Sequence, residues 1–384
     1  MALSDMLDSI PTSGIRRLFE LAGRYSDALS LGIGEPDFDT PEHIKEYAKE
    51  ALDAGITHYT PNVGLPILLE AISQKLKREN GIDADPASNI MVTVGGNQAF
   101  LLAISTFLRQ GDEVIIPSPH FVTHSASVQL AGGVPVEVPC YAEFGYRPRT
   151  EDLGKAITPR TRCIIINSPN NPTGSVLGKG DLEEIADLAV DHDLKVISDE
   201  VYETLIYDGL RHESIGALNG MESKTITVNS FSKAYAMTGW RLGYVVADKD
   251  TISKMAKFQM YLAACPVSFA QYAAAKAIND ERSRSHIETM RSEYQRRRDY
   301  ISSRLDAIDG IEVTKPSGAF YIFPEVVGKD DLEFSESLLK NKHVAVVPGS
   351  TFGKAGKGHI RCAYTLPIPA LEKAMNRLED FMRA

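Results

Sequence analysis

The sequence predicts an α/β protein with a large domain, built on a mostly parallel sheet of seven strands between helices, and a smaller α+β domain. Two observations carry this prediction. Short apolar runs alternate with helical patterns through the middle of the 384-residue chain, which is typical of a parallel sheet covered by helices on both faces. A chain of this length is also too long for one simple core and suits two domains that share a cleft.

The predicted strands of the large domain are short runs rich in β-branched residues. Cys163–Asn167 holds three consecutive isoleucines, as expected of a strand that is buried on both faces. Gln98–Leu108 is an apolar helix, and Asp181–His192 has apolar residues at helical spacing with Asp181 at the N-cap position. In chain order, the seven predicted strands are Met91–Gly95, Glu113–Pro117, Val134–Val138, Cys163–Asn167, Lys195–Ser198, Thr225–Asn229 and Leu242–Ala247.

The C-terminal part has a different pattern. Ile287–Leu305 is a long charged helical segment, Ala319–Phe323 and His359–Tyr364 are predicted strands, and a last helix begins at Pro369. This mixture predicts a smaller α+β domain. The predicted division of the chain is an N-terminal arm with part of the small domain over residues 1–40, the large domain over 41–285 and the small C-terminal domain over 286–384.

Composition and charge exclude several classes of function. The chain holds 41 basic and 51 acidic residues, a net charge of -10, and an acidic surface repels the phosphate backbone of nucleic acid. No apolar run approaches the roughly 18 residues that span a membrane, and Met1–Pro11 lacks the regions of a signal peptide. The four cysteines form no C-x-x-C pair, which predicts no disulfide framework and favours the reducing cytoplasm.

Motifs for metals and nucleotides are also missing from the sequence. The nine histidines show no metal-ligand spacing such as H-E-x-x-H, and no G-x-G-x-x-G lies in the strand–helix units. Gly349–Lys354 is one residue short of a phosphate-binding P-loop. We therefore expect no metal site.

Polar residues follow four of the predicted strands at the point where each strand ends. They are Gly95-Gly96-Asn97, Asn171, Asp199 and the pair Ser230 and Lys233. Because ligands bind at the carboxyl ends of the strands in such sheets, we expect these residues to surround one ligand site.

Lys233 is the strongest candidate for a catalytic residue. It lies just beyond a strand among apolar and aromatic residues, where burial would disfavour the ammonium form and lower the pKa of the amine. A neutral amine is what Schiff-base chemistry requires. Arg241 follows eight residues later and has the planar guanidinium that suits a phosphate. Taken alone, Lys233 fits a surface lysine in a loop equally well.

The segment Ser230–Gly243 reads SFSKAYAMTGWRLG, and it resembles, position by position, the pyridoxal-phosphate attachment signature of the class I aminotransferases. The resemblance covers nearly the whole chain, with further motifs at Leu31–Pro41 and Tyr59–Gly64, and the chain most resembles archaeal aminotransferases of aromatic or aspartate type. It implies the fold type I of pyridoxal-phosphate enzymes. It also implies that pyridoxal 5′-phosphate is carried as a Schiff base on Lys233.

The resemblance assigns contacts to the cofactor's phosphate. Gly95, Gly96 and Asn97 stand at the phosphate cup, where free N–H groups at a helix start bind anions, and Ser230 and Arg241 complete it. Some relatives carry serine or threonine in the cup. Here Gly95 and Asn97 replace them, so backbone contacts are expected to matter more.

The resemblance also assigns contacts to the cofactor's ring. Phe121 stacks on the pyridine face, with a core phenylalanine as the alternative. Asn171 and Tyr202 bond the phenolic oxygen. The carboxylate of Asp199 keeps the pyridine nitrogen protonated, so that the ring accepts electrons from the substrate. Lys233, Asp199 and Tyr202 are thus the expected catalytic residues.

Three further residues are implied for the substrate and for assembly. The backbone at Gly34 approaches the substrate carboxylate, although a simple turn is the alternative. Arg361, on a predicted strand of the small domain, clamps the α-carboxylate together with Asn171. Tyr59 reaches across a dimer interface to the neighbouring subunit's cofactor phosphate, which implies a homodimer.

The implied reaction moves the amino group of an L-amino acid to a 2-oxo acid, with 2-oxoglutarate expected in one direction, by a ping-pong mechanism. Dicarboxylate-specific relatives bring a second arginine from the neighbouring subunit, but the corresponding stretch Phe258–Gln271 contains no arginine or lysine. Aromatic amino acids are therefore favoured as substrates. The alternatives are an aspartate aminotransferase, another pyridoxal-phosphate enzyme such as a β-lyase, and a non-catalytic ligand-binding protein.

Overall fold

The computed structural model describes residues 14–384. The first part of the predicted N-terminal arm, with the segment Met1–Pro11, lies outside the described residues. The α-helices are α1 (Gly14–Ala22), α2 (Glu42–Asp53), α3 (Pro66–Lys75, continued by a π turn over Leu76–Asn80), α4 (Gly95–Ser105), α5 (Val122–Leu130), α6 (Thr150–Ala156), α7 (Lys179–Asp191), α8 (Phe231–Ala234), α9 (Lys249–Leu262), α10 (Ser268–Asn279), α11 (Glu281–Asp306), α12 (Asp331–Lys342) and α13 (Ile368–Met382). The strands are β1 (Leu29–Ser30), β2 (Ile90–Thr93), β3 (Glu113–Ser118), β4 (Val134–Pro139), β5 (Thr161–Asn167), β6 (Lys195–Asp199), β7 (Thr225–Ser230), β8 (Gly243–Val246), β9 (Ile311–Glu312), β10 (Tyr321–Ile322), β11 (Glu325–Val326), β12 (Val344–Ala345), β13 (Val347–Pro348) and β14 (Ile360–Ala363). Short 3-10 helices cover Ala142–Phe144, Ile215–Ala217, Thr238–Trp240, Gly349–Phe352 and Lys354–Gly356.

The predicted sheet of seven strands is confirmed, in the order β2-β8-β7-β6-β5-β3-β4. All its neighbours pair in parallel except β8, which is antiparallel to both β2 and β7. Each predicted strand is present, with its ends moved by two residues or fewer. Because β2 runs in the same sense as β7, the carboxyl ends of β2, β5, β6 and β7 meet at one edge.

The isoleucine run of β5 shows why the sheet is buried on both faces. Cys163 and Ile165 pack in the core beneath α4, whereas Ile164 and Ile166 pack with Leu182 of α7 on the other face. Successive side chains of a strand point to opposite faces. A continuous apolar run therefore requires helices on both sides, as the sequence predicted.

Four helix starts differ from the prediction. Helix α11 begins at Glu281 rather than Ile287, and α13 begins at Ile368 rather than Pro369. Asp181 is not the N-cap of α7, because the helix begins at Lys179 and Gly178 holds that position. Asp181 lies one turn inside, where its Oδ2 accepts a hydrogen bond of 2.8 Å from the Gly178 N–H. Helix α4 begins at Gly95, three residues before the predicted Gln98, so the glycines after β2 belong to its first turn.

The C-terminal part forms small antiparallel sheets around one apolar cluster. Strands β10, β14 and β13 form one sheet and β11 pairs with β9. Strand β1 pairs in parallel with β12, so the chain near Leu29 packs with the C-terminal part. The domain boundaries at residues 40 and 285 stay a prediction. Within residues 14–384, no helix combines the length and apolar character needed to cross a bilayer.

Candidate active site

A cavity of about 670 Å³ lies where β5, β6 and β7 end and α4 begins. Tyr321 of β10 and Arg361 of β14 line its other side, so it is enclosed between the large sheet and the C-terminal part. Most of the residues expected at the site are thereby brought together. The predicted site residues that line it are Gly34, Gly96, Asn97, Phe121, Asn171, Asp199, Tyr202, Ser230, Lys233, Arg241 and Arg361.

Lys233 lies in the short helix α8, which follows β7 directly. Its Nζ donates a hydrogen bond of 2.5 Å to the carbonyl oxygen of Gly34 and lies 5.8 Å from the centre of the Tyr202 ring and 5.5 Å from that of Phe320. Burial lowers the pKa of the Lys233 amine from 10.5 to about 8, and the charge of Arg361 adds to the effect. The amine is therefore far easier to deprotonate than an ordinary lysine.

The Arg241 guanidinium lies against Gly95 at the start of α4. Gly95 has φ +72°, and a Cβ at this position would lie 2.6 Å from Nη2 of Arg241. The positive φ favours glycine at this position. Arg241 also adopts a left-handed conformation, with φ 52°, and its Nη1 donates to the carbonyl of Thr238 at 2.9 Å. The guanidinium thus lies against the free N–H groups of the first turn of α4, which is a suitable arrangement for an anion.

Ser230 ends β7 and caps α8. Its Oγ accepts a hydrogen bond of 3.1 Å from the Ser232 N–H and donates to the carbonyl of Leu242 at 3.2 Å. These contacts hold the backbone on both sides of the Lys233 segment.

A histidine that the sequence analysis did not single out lies beside Asp199. Both side chains are buried, and His124 Nε2 lies 3.0 Å from Asp199 Oδ2, while Asp199 Oδ1 accepts from the Val201 N–H at 3.3 Å. Phe121, half-buried at the N-cap of α5, meets the His124 ring edge-on at 5.9 Å. Phe121 and His124 are three residues apart, which puts both on one side of α5. This spacing was the local signal for the contact between the two rings.

Arg361 is almost fully buried, and two neighbours hold its guanidinium. Nη1 donates to Asn171 Oδ1 at 2.9 Å and Nη2 to the carbonyl of Gly32 at 2.7 Å. Nε is buried and has no partner among the described residues. Burial lowers the pKa of Arg361, so an anion in the cavity would gain from pairing with this cation.

Tyr321 is a second residue that the sequence analysis missed. Its Oη lies 2.8 Å from Oη of Tyr202, and burial raises the pKa of both phenols. A Cβ on Gly34 would lie 2.2 Å from the Tyr321 Oη. Gly34 must therefore be glycine because the backbone passes close to this hydroxyl.

Tyr59 does not belong to the cavity of a single chain. Its side chain is 89% exposed, and it lies beside Pro266 and Phe269 on another face. The resemblance implies that Tyr59 contacts the cofactor of the neighbouring subunit, and this contact stays a prediction.

Within residues 14–384, Glu200, Glu203 and His212 are a group with the spacing of metal ligands. The ammonium of Lys75 already bonds to Glu203, and it donates to Asn80 Oδ1 at 2.8 Å. His212 Nε2 bonds to Glu200 at 2.8 Å. Lys75 thus supplies one cation for Glu203, and, against the opposing effect of burial, the charge of Glu200 raises the pKa of His212.

The donor set of the cavity fits pyridoxal 5′-phosphate, the cofactor that the resemblance implies. The N–H groups at the start of α4 and the guanidinium of Arg241 suit a phosphate. The buried carboxylate of Asp199 suits a protonated ring nitrogen, and the low-pKa amine of Lys233 suits an aldehyde. Nη1 and Nη2 of Arg361 each donate one hydrogen bond within the chain and keep a second N–H for a substrate carboxylate.

Comparison with known proteins agrees with this geometry. The chain matches the family described as aminotransferase class I and II over residues 26–378. It is 59% identical to an aspartate aminotransferase of Pyrococcus abyssi and 56% identical to aromatic-amino-acid aminotransferase 2 of Thermococcus litoralis, each over 100% of this chain and 99% of the relative. The crystal structure of an aromatic aminotransferase from Pyrococcus horikoshii superposes with a TM-score of 0.92 at 58% identity, covering 95% of this chain and 98% of that one. The chain therefore belongs to the class I and II aminotransferases, enzymes that use pyridoxal 5′-phosphate to transfer amino groups.

Proposed function

We propose that this aminotransferase acts on aromatic L-amino acids and passes their amino group to 2-oxoglutarate by a ping-pong mechanism. The observation that carries the proposal is the set of charged residues around the cavity. Among the cavity residues that the structure describes, Lys233, Arg241 and Arg361 are the cations. Because the first two are assigned to the cofactor, only Arg361 remains for substrate, which suits one carboxylate rather than two.

The remaining surface of the cavity supports the same substrate class. Leu18, Ile33, Val122 and Val201 offer apolar contact, and the carboxylate of Glu35 at the rim would repel a second acidic group. Apolar walls with a few placed polar groups are typical of sites for such ligands.

Pyridoxal phosphate, when bound, supplies an aldehyde that condenses with amines and a protonated ring that withdraws electrons. The amine of Lys233 would hold the aldehyde and, when free, would accept a proton from the substrate Cα at Nζ and later donate it. Asp199, which His124 orients through the 3.0 Å contact, would hold the proton on the ring nitrogen. Tyr202 and Asn171 would bind the phenolic oxygen, and Phe121 would cover the ring and exclude water.

Phosphate binding is assigned to the N–H groups of Gly95, Gly96 and Asn97 and to Ser230 and Arg241. The backbone at Gly34 and the guanidinium of Arg361 orient the substrate carboxylate. A fixed orientation of the substrate is a large part of the rate enhancement that such sites achieve.

The active unit is proposed to be a homodimer in the cytoplasm. Support comes from large apolar side chains that are exposed: Tyr59 is 89% exposed, and Met260, Tyr261 and Leu262 at the end of α9 are 50%, 77% and 49% exposed. Exposed apolar surface of this kind is typical of a protein interface. Tyr59 then contacts the cofactor phosphate of the partner subunit.

An aspartate aminotransferase is the second candidate, because the relative from Pyrococcus abyssi has that name at 59% identity. Rapid mixing of the holoenzyme with phenylalanine, tyrosine, aspartate, glutamate and alanine tests both, with the cofactor's absorbance as the signal. We expect kcat/KM for phenylalanine and tyrosine to exceed that for aspartate by at least about tenfold. A reversed order would establish the aspartate activity, and release of ammonia without a new amino acid would indicate a lyase.

A further inference from the structure

A second cavity, of about 270 Å³, lies behind the segment that carries Lys233. It is enclosed between α11 and the ends of α3, β7 and α10. Ser230 lines both this cavity and the active site. A molecule bound here would therefore contact the end of β7, three residues before Lys233, without entering the active site.

Residues that carry polar groups without partners line this cavity. Asn229 is 3% exposed, and its Nδ2 has no hydrogen-bond partner, as is also true of Thr204 Oγ1. The hydroxyls of Tyr235 and Tyr244 form no hydrogen bond within residues 14–384. Every one of these groups can donate a hydrogen bond. Because buried donors without partners are rare in folded proteins, the set calls for a ligand rich in acceptor oxygens.

The charges around the cavity leave one cation free. Lys75 is neutralised by Glu203 within the cavity wall, and Arg291 forms a forked ion pair with Glu288 at 2.5 and 2.9 Å. Arg284, exposed at the mouth on α11, has no ion pair in the part of the chain that the structure describes. A single negative charge on the ligand would therefore be balanced.

We infer that this cavity is a second binding site for a small organic carboxylate, separate from the substrate site. Its carboxylate meets Arg284 at the mouth, its other acceptor atoms meet the inner donors, and its carbon skeleton lies against Phe231, Ile278 and Ile287. A ligand bound here contacts Asn229 and Ser230 at the end of β7 and leaves the active site open. The inference concerns binding and does not depend on which amino acid is the substrate.

The test uses the holoenzyme and 3-fluoro-4-hydroxybenzoate as the probe, because its phenolic oxygen is an acceptor apart from the carboxylate. Binding is followed by ¹⁹F NMR and calorimetry, with the cofactor's absorbance reporting active-site occupancy. We expect two binding events per chain, of which one leaves the absorbance almost unchanged. Tyr244→Phe, Thr204→Val and Arg284→Gln each remove a group without a native partner, so folding is preserved. Each should weaken that event by roughly tenfold.

Two controls separate this site from the active site. Arg109→Gln changes another exposed arginine without a side-chain partner in residues 14–384 and should leave both events unchanged. Arg361→Lys should weaken only the event that changes the absorbance. Uncharged 3-fluoro-4-hydroxybenzamide should lose the second event.

One event per chain, unaffected by the three cavity variants, would overturn the inference and show that the cavity holds only water. A second event that the amide shares fully would also overturn it, because the carboxylate would not be recognised. A holoenzyme that binds in both places yet transfers no amino group would contradict the proposed function instead.

Discussion

Arg361 and Asn171 form a hydrogen bond of 2.9 Å that fixes the cation of the active site. The carbonyl of Gly32 holds the other terminal nitrogen at 2.7 Å. The rings of Tyr321 and Phe352 lie 4.5 and 4.8 Å from the guanidinium carbon. With two rings packed against it and two nitrogens held, the guanidinium has one orientation before any substrate enters, so little is lost in ordering it on binding.

Asn171→Ala should therefore raise the KM for the amino acid by about tenfold, since a hydrogen bond to a charged group contributes about 1.5–3 kcal/mol. The effect on kcat should be smaller. Steady-state kinetics measures both. Asn170→Ala is the control, because the Asn170 side chain bonds only to Thr173; equal KM values for the two variants would show that Gly32 alone orients Arg361.

Gly34→Ala should disturb the active site because the added methyl group would clash with the hydroxyl of Tyr321. The new Cβ would lie 2.2 Å from Oη of Tyr321, with the ring carbons at 3.1 and 3.2 Å. Overpacking of this kind costs about 1–3 kcal/mol, and we expect kcat/KM to fall by about tenfold or more. Adding Tyr321→Phe removes the clashing atom and should restore most of the loss.

The control is the single variant Tyr321→Phe, because the loss of this hydroxyl also removes the contact to Tyr202. If the double variant is no better than Gly34→Ala, the clash is not the cause. Backbone conformation at residue 34 would then explain the requirement for glycine.

The fold was predictable because its signals are local. An apolar run such as the isoleucines of β5 predicts a strand that is buried on both faces. Because such strands alternate with helices along the chain, a parallel sheet covered by helices is the expected fold. Helix starts were less predictable. Gly95 was assigned to a strand, but its positive φ turns the chain into α4. Asp181 was assigned to the N-cap of α7, but it lies in the first turn of the helix and accepts a hydrogen bond from the Gly178 N–H.

The site residues that stand at the ends of strands were predictable. Asp199 and Ser230 each close a strand of the sheet, so topology alone brings them to one edge. His124 and Tyr321 were missed because their contacts join residues 75 and 119 positions apart. No local pattern reports such pairs, since they depend on how α5 and β10 pack against β6.

Mixed dimers test the proposed contribution of Tyr59 to the partner's site. A Tyr59→Phe chain and a Lys233→Ala chain, each nearly inactive as a homodimer, should regain activity when they are unfolded and refolded together. In the mixed dimer one site has Lys233 from one chain and Tyr59 from the other, so it is intact. Activity near one quarter of the wild-type value is expected for random assembly, since half of the dimers carry one good site of two.

The control is refolding of each variant alone under the same conditions. If Tyr59 acted within its own chain, no site in the mixture would hold both residues, and activity would stay at the level of the separate variants. If sedimentation experiments showed a monomer, the proposed homodimer itself would be wrong.

The cofactor-free protein should be stabilised by Lys233→Met near neutral pH. Burial lowers the pKa of Lys233 from 10.5 to about 8, so below pH 8 the folded state carries a poorly solvated ammonium. One pKa unit corresponds to about 1.4 kcal/mol. With allowance for the part of the side chain that solvent reaches, the gain is on the order of 1–3 kcal/mol in the free energy of unfolding.

The sign of the pH dependence follows from proton counts. Between pH 8 and pH 10.5 the unfolded chain still binds the proton that the folded chain has released, so the free energy of unfolding of the wild type rises with pH relative to that of Lys233→Met. The gain from the variant is therefore largest below pH 8 and disappears towards pH 10.5. Urea unfolding of the cofactor-free proteins at several pH values measures this difference, with Lys257→Met, an exposed lysine of α9, as the control. A constant difference across that range would mean that Lys233 is not strained as an ammonium, and its easy deprotonation would then have to come from the bound cofactor.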